Sequence, residues 1–247
     1  MWRRLVVCGV LCGAMLAIPA RAANTFTDWG AIVVAGDWHS HSGEPSEVFD
    51  NARRDVSAGF ERIGIDPRNL LEFTARPGRA DGNRLRQSDA QTISTALWDL
   101  SDRTSAGCLV YFSSHGTPDG IVLGGDVLSP RRLETILNNS CASRPTVVIL
   151  SACFSGVFVS ALQGPDRLVF TAARPDRTSF GCGDNDKYPF FDACVLESLP
   201  KSANFPGLAR DVEGCVSRKE HQAGVGLPSD PQLSVGKNVL SELPRWR

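Results

Sequence analysis

Strong charge of either sign is missing from this chain. Lys and Arg number 26, Asp and Glu 27, and the net charge is −1. There is no basic excess or stripe, which excludes the electrostatic footprint of a nucleic-acid binder. Internal repeats and low-complexity tracts are absent too, so neither a solenoid nor a disordered linker is expected. No uninterrupted apolar run reaches the ~18 residues that a membrane span requires. Histidine is scarce: His39, His41, His115 and His221 are all there is. Zinc needs three or four ligands, so the His39-x-His41 pair has no third His nearby to complete a site, although Glu44 or Asp37 could join it.

What is present divides at residue 22. "MWRR" is a short basic start, "LVVCGVLCGAMLAIP" is an apolar core, and "ARA" (Ala20–Ala22) is a small-x-small site. That order is the pattern of a secretory signal over residues 1–22, and it implies export to a periplasm or beyond the cell, with no stable membrane insertion once the signal is cleaved. The 225 residues from 23 to 247 are expected to form one domain. Six cysteines remain in it: Cys108, Cys141, Cys153, Cys182, Cys194 and Cys215. An oxidising compartment invites three disulfides, but if one Cys is kept for chemistry at least one other stays unpaired. Spacing does not fix the pairing; Cys108–Cys141 and Cys182–Cys215 are guesses.

Apolar runs alternate with helical patterns along the chain. "WGAIVVAGD" (Trp29–Asp37), "NLLEFTA" (Asn69–Ala75), "GCLVYFSSHG" (Gly107–Gly116), "PTVVILSAC" (Pro145–Cys153) and "DRLVFTAA" (Asp166–Ala173) read as strands. Between them, Val48, Ala52, Val56, Phe60 and Ile63 recur at helical spacing, as do Ile93, Ala96, Leu97 and Leu100. Ser88 with Gln91 reads as a capping box for the second helix. "GIVLGGDVLSP" predicts a hairpin turning at Gly124-Gly125, and Ser129-Pro130 opens a further helix. Arg76–Gln87 reads as a polar loop, and the tail from about Glu220 as largely irregular. Continuously apolar strands separated by helices predict an α/β fold with a mostly parallel central sheet and helices on both faces.

In such sheets ligands bind beyond the carboxyl ends of the strands. The third strand ends in "SSHG" and the fourth in "SACFSG", so His115 and Cys153 are expected at one edge of the sheet. A thiol is only a few per cent thiolate at neutral pH, and a nearby imidazole can take its proton. Backbone N–H groups at Gly116 and at the turn of Cys153 could hold an oxyanion. The small residues Ser151, Ala152, Ser155 and Gly156 leave room for a substrate.

"YFSSHG", with its His 38 residues before the Cys of "ILSACFSG", resembles the legumain-type cysteine peptidases, a branch of the caspase-like group. "IVVAGD" and "TAARPDRTSFGC" resemble two further family blocks in the same order. The resemblance implies a caspase-like three-layer sandwich, a peptide or protein substrate, no cofactor and no metal. It implies His115 and Cys153 as a dyad working through a thioester acyl-enzyme, with Gly116 and Cys153 N–H groups at the oxyanion. Thr178 and Ser179 would line the substrate groove, and Asp192 would match an acidic pocket residue.

Two positions depart from the family. Ser151 stands where legumains carry Glu, and Val48 falls near the place of their pocket Arg. Losing both signs together is coherent, because a buried charge left alone is costly. The resemblance thus implies the chemistry and leaves the P1 preference open. A metacaspase-like peptidase or transpeptidase, a non-catalytic binding module of the same fold, and a metal-dependent hydrolase at His39 and His41 are the other readings. "GDNDK" (Gly183–Lys187) lacks calcium-loop spacing and reads as a solvated loop.

Overall fold

A computed structural model describes residues 25–247, so the expected signal segment lies outside the described residues. Strand β1 (Trp29–Ala35) is followed by helix α1 (Val48–Arg62), β2 (Leu70–Thr74), β3 (Leu85–Gln87), α2 (Ala90–Arg103) and β4 (Gly107–Ser113). A small excursion of β5 (Gly116–Thr117), β6 (Gly120–Leu123) and β7 (Asp126–Leu128) leads to α3 (Pro130–Ser140) and β8 (Thr146–Ser151). Then come a 3-10 turn at Ser155–Phe158, α4 (Val159–Leu162), β9 (Arg167–Thr171), α5 (Phe190–Ser198), α6 (Phe205–Gln222), β10 (Gln232–Val235) and α7 (Val239–Glu242).

The main sheet has the order β10-β9-β8-β4-β1-β2-β3. Every pair in it is parallel except β10 with β9. Strands β1, β4, β8 and β9 are buried along their whole length. That explains their unbroken apolar sequences: both faces are covered, so no polar alternation is needed. The two-residue period decides which core each side chain enters. Ala31, Val33, Leu109, Tyr111, Val147 and Ile149 meet α1, α5 and α6 on one face. Ile32, Val34, Val110, Phe112, Val148 and Leu150 meet α2, α3 and α4 on the other. The result is the three-layer α/β arrangement that the alternation predicted.

Local chemistry sets the element ends. Ser129 Oγ accepts from Arg132 N, with Pro130 at the first helical position, as expected. The second helix is capped differently from expectation. Asp89 accepts from Thr92 N at 2.8 Å, while Ser88 Oγ donates to Ala35 O at 2.7 Å. Ser88 is buried against β1 and is thus unable to cap. The hairpin of β6 and β7 turns at Gly124-Gly125 as predicted.

Two stretches hold more order than their composition suggested. The polar segment before Gln87 ends in β3, a short edge strand beside β2. The tail carries β10, which closes the opposite edge antiparallel to β9. Two disulfides form, Cys108–Cys141 and Cys194–Cys215, with Cα separations of 6.0 and 5.6 Å. The second corrects the guessed Cys182–Cys215 pair. Cys215 lies on the buried stripe of α6 with Leu208 and Val212, and that stripe faces α5, which carries Cys194, rather than the loop at Cys182. Cys153 and Cys182 stay free. Among the described residues no helix is long and apolar enough to cross a membrane.

Candidate active site

Strands β4 and β8 are neighbours, and their last residues, Ser113 and Ser151, face each other in register. Two residues beyond each lie His115 and Cys153, so the topology delivers both to one edge of the sheet. There the chain leaves β8 through an abrupt turn. Phe154 takes a left-handed conformation (φ 55°, ψ 11°), which costs a non-glycine residue about 1–2 kcal/mol. Its N–H donates to Arg177 O at 2.7 Å, which holds it there. Gly156 lets this happen: a Cβ on it would stand 2.6 Å from both the ring and the nitrogen of Pro175. Any side chain at 156 would lift the 174–177 segment off the turn that exposes Cys153.

The sulfur of Cys153 is half-buried and held by one residue. Ser179 N–H donates to it at 3.2 Å, and the thiol donates to Ser179 O at 3.5 Å. Beside it opens a cavity of about 360 Å³ lined by Cys153, His41 and residues Thr178 to Gly183. Thr178 and Ser179 thus stand in the cavity wall. The segment is pinned to the loop after β1, because Ser42 Oγ donates to Asp184 at 2.6 Å, Ser40 Oγ donates to the same carboxylate, and His41 N donates to Cys182 O at 2.8 Å. The "GDNDK" loop, read as merely solvated, supplies that staple.

His115 is oriented from two sides. Its Nε2 lies 3.2 Å from His39 O, and the edge of the Phe49 ring stands 4.9 Å away, centroid to centroid. A carbonyl only accepts, so Nε2 carries the proton and Nδ1 is the basic nitrogen of the neutral ring. The His39 carbonyl is presented by an Asx turn: Asp37 Oδ1 accepts from Trp38 N, His39 N and His39 Nδ1 at 2.6, 3.1 and 2.8 Å. Among the described residues no hydrogen bond joins His115 to Cys153. The backbone just after His115 nevertheless touches that of Cys153, since a Cβ on Gly116 would lie 2.0 Å from Cys153 O.

Two N–H groups are open here. Val122 N donates to His115 O, and the β5–β6 register pairs Gly116 with Ile121, so the alternation of an antiparallel ladder leaves Gly116 N–H unbonded. Cys153 N–H has no acceptor among the described residues. Two of the expected contact residues are placed differently. Ser151 and Asp192 are 1% and 0% exposed and bond to each other at 2.5 Å beneath the site. Their expected contact with substrate is corrected to a buried pair. Ser151 ends β8 on the face that meets α5, which carries Asp192.

The surroundings of Val48 are apolar. Val48, Phe49 and Ala35 form a small cluster against which Cys182 packs. Burial, then the neighbouring Cys153, pushes the Cys182 thiol up to about 11. Among the described residues no group of three or more metal-ligating side chains converges. His39 turns its ring to Asp37 and His41 turns to the cavity, so the H-x-H pair is divided. Sequence reasoning missed His39 O, Phe49 and Cys182. The signal for the last was its position three residues past Ser179 on one loop.

The sequence model of the peptidase C13 family matches residues 87–204, a stretch that spans His115, Cys153 and the cavity wall from Thr178 to Gly183. That region belongs to the legumain family. With the free thiol and imidazole at one sheet edge, this makes the chain a cysteine peptidase, a hydrolase of peptide bonds. Among solved structures it is similar to caspase-1 from Spodoptera frugiperda, with a TM-score of 0.62 over 86% of this chain and 88% of that one. Identity there is 13%, so that likeness speaks for the fold alone. No curated protein matches.

Proposed function

We propose that this chain is an exported endopeptidase in which Cys153 and His115 act as a dyad. His115 Nδ1 takes the thiol proton as Sγ attacks the scissile carbonyl carbon. The C=O π pair moves onto oxygen, where the Gly116 and Cys153 N–H groups donate to it. Collapse of the tetrahedral adduct breaks the C–N bond, the imidazolium protonates the leaving amine, and a thioester remains. Water, deprotonated by Nδ1, then attacks the thioester carbon, the C–S bond breaks to release the carboxylic acid, and the imidazolium returns its proton to the sulfur.

The observation that carries this reading is the His39 carbonyl on Nε2. It fixes the tautomer and frees the other nitrogen for Cys153, the role that an orienting group plays in nucleophile–base pairs generally. The turn at Phe154 and the two open N–H groups support it. The two disulfides support an oxidising location and so the export reading. A P1-diverse peptide library incubated with wild type and with Cys153→Ala tests the proposal. Cleavage by the reduced wild type, lost in the variant and accompanied by a substrate-derived thioester adduct in acid-quenched mass spectra, is expected. Cleavage that survives Cys153→Ala refutes it.

A further inference from the structure

Asp192 is a fully buried carboxylate on the first turn of α5, and among the described residues no Lys, Arg or His pairs with it. Three hydroxyls reach it instead. Tyr111 OH donates to Oδ1 at 2.6 Å, and Ser113 Oγ and Ser151 Oγ donate to Oδ2 at 3.1 and 2.5 Å. All three donors come from β4 and β8. Ser113 and Ser151 are in-register partners and the last residue of each strand. Each stands two residues before a member of the dyad. Beyond them the backbone ladder between the strands has one more bond, Ser114 N to Ser151 O at 3.0 Å, and then stops.

An uncompensated buried carboxylate is costly, and an apolar residue of similar size would fill the space at less expense. Hydrogen bonds from hydroxyls to a carboxylate are short and about twice as strong as neutral ones. They are also directional, and these converge on one oxygen from two strands. Burial raises the acid to about 6 against the pull of the three donors, so it is mostly ionised at neutral pH. With no exposed surface on Asp192, and 1% on Ser151, neither touches a substrate in this arrangement.

We propose that Asp192 is a positioning residue: through Ser113 and Ser151 it ties the ends of β4 and β8 together beneath the site and so sets the spacing of His115 and Cys153. This rests on the dyad reading above. It assigns no substrate contact to the acid.

The test uses Asp192→Ala, Asp192→Asn, Ser113→Ala and Ser151→Ala in the full chain, with two readouts: peptide turnover and the pH-dependent rate of Cys153 labelling by iodoacetamide. Misplacing reacting groups by about 1 Å can cost around 100-fold. Asp192→Ala is expected to lower kcat at least about tenfold with KM within about twofold. Asp192→Asn is expected to restore most of it, because the amide oxygen accepts and its NH₂ can donate to the serine oxygens. Ser113→Ala is expected to lower kcat in the wild-type background and to add nothing in Asp192→Ala, since the tie is already gone. Should Asp192→Ala not fold, the single serine variants, which keep the acid and two donors, are expected to show the same fall in kcat alone. A folded Asp192→Ala with unchanged kcat, a rise in KM alone, or additive effects of the serine and acid variants each overturn the proposal. If the wild type cleaves no peptide, the dyad's function fails separately. The labelling rate still decides the tie: altered in Asp192→Ala and restored in Asp192→Asn supports it, and unchanged in both overturns it.

Discussion

Gly116→Ala perturbs the site at one atom. The added Cβ would stand 2.0 Å from Cys153 O and 2.9 Å from Cys153 C, with Ala152 Cβ at 3.1 Å. An ordinary contact at such a carbonyl begins at about 3.3 Å, so one backbone must retreat by roughly 1.3 Å. Neither side yields easily. Gly116 begins the β5–β6 hairpin, which His115 O anchors through Val122 N, while Cys153 leads into a turn fixed by Phe154 N on Arg177 O. The retreat separates His115 from Cys153 and withdraws one of the two open N–H groups. A displacement of about 1 Å can cost around 100-fold in rate, and loss of one oxyanion donor a further 100-fold or more, so kcat/KM should fall at least about 100-fold. Overpacking costs about 1–3 kcal/mol, and for a domain of this size that is roughly 2–12 °C in Tm. Gly125→Ala is the control, since nothing lies within 4 Å of the Cβ it would add. The assay is kcat/KM on a cleaved peptide beside thermal unfolding of both variants. Activity of Gly116→Ala within threefold of wild type would refute the reasoning, because the two backbones could then not be in contact during catalysis.

Cys182 should react far more slowly with iodoacetamide in the native protein than in the unfolded chain. With its thiol near 11, about a thousandth is ionised at pH 8, against about a quarter for an unperturbed thiol. The higher basicity returns about tenfold in nucleophilicity, leaving roughly a 20-fold deficit that peptide mapping after timed alkylation measures. A rate equal to that of the unfolded chain contradicts the burial of Cys182. Replacing Cys194 and Cys215 together by Ala should cost on the order of 3 kcal/mol, from opening a loop of 21 residues in the unfolded state; chemical denaturation reads it, and an unchanged midpoint counts against the link. Asp192 makes stability depend on pH. The folded acid keeps its proton to about pH 6, whereas the unfolded chain releases it near 4. The folded state therefore binds more protons in that window, and this group's contribution, full below about pH 4, falls by on the order of 3 kcal/mol as pH rises past 6. Asp192→Asn does not titrate, so the stability of wild type relative to it should decline from pH 4 to pH 7, and a constant difference excludes the raised carboxyl.

Where burial on two faces wrote the strands in apolar residues, the sheet could be read directly, and with it the edge that brings His115 and Cys153 together. Edge strands carry no such mark. Strand β3 has three residues, "LRQ", and needs only one neighbour, while β10 sits between Pro231 and Gly236, residues that argue for a turn. The α6 stripe of Phe205, Leu208, Ala209, Val212, Cys215 and Val216 was legible at helical spacing, and placing it would have sent Cys215 to a helix partner. The site divides in the same way. A nucleophile and a base are chemical types that a motif can name, but their supports are backbone atoms and long-range contacts. His39 supplies a carbonyl that any residue would own, and Phe49 looks like ordinary core on α1. Ser151 and Asp192 show the limit most clearly. Read along the chain, the family resemblance sets Ser151 at a Glu position and matches Asp192 to an acidic pocket residue. In space Asp192 is kept out of the cavity wall and capped by Ser113, Tyr111 and Ser151 itself. Charge counted by position thus says how many ionisable groups a pocket inherits. Whether a substrate meets them depends on where each side chain packs, and Asp192 on α5 is fully buried against the ends of β4 and β8.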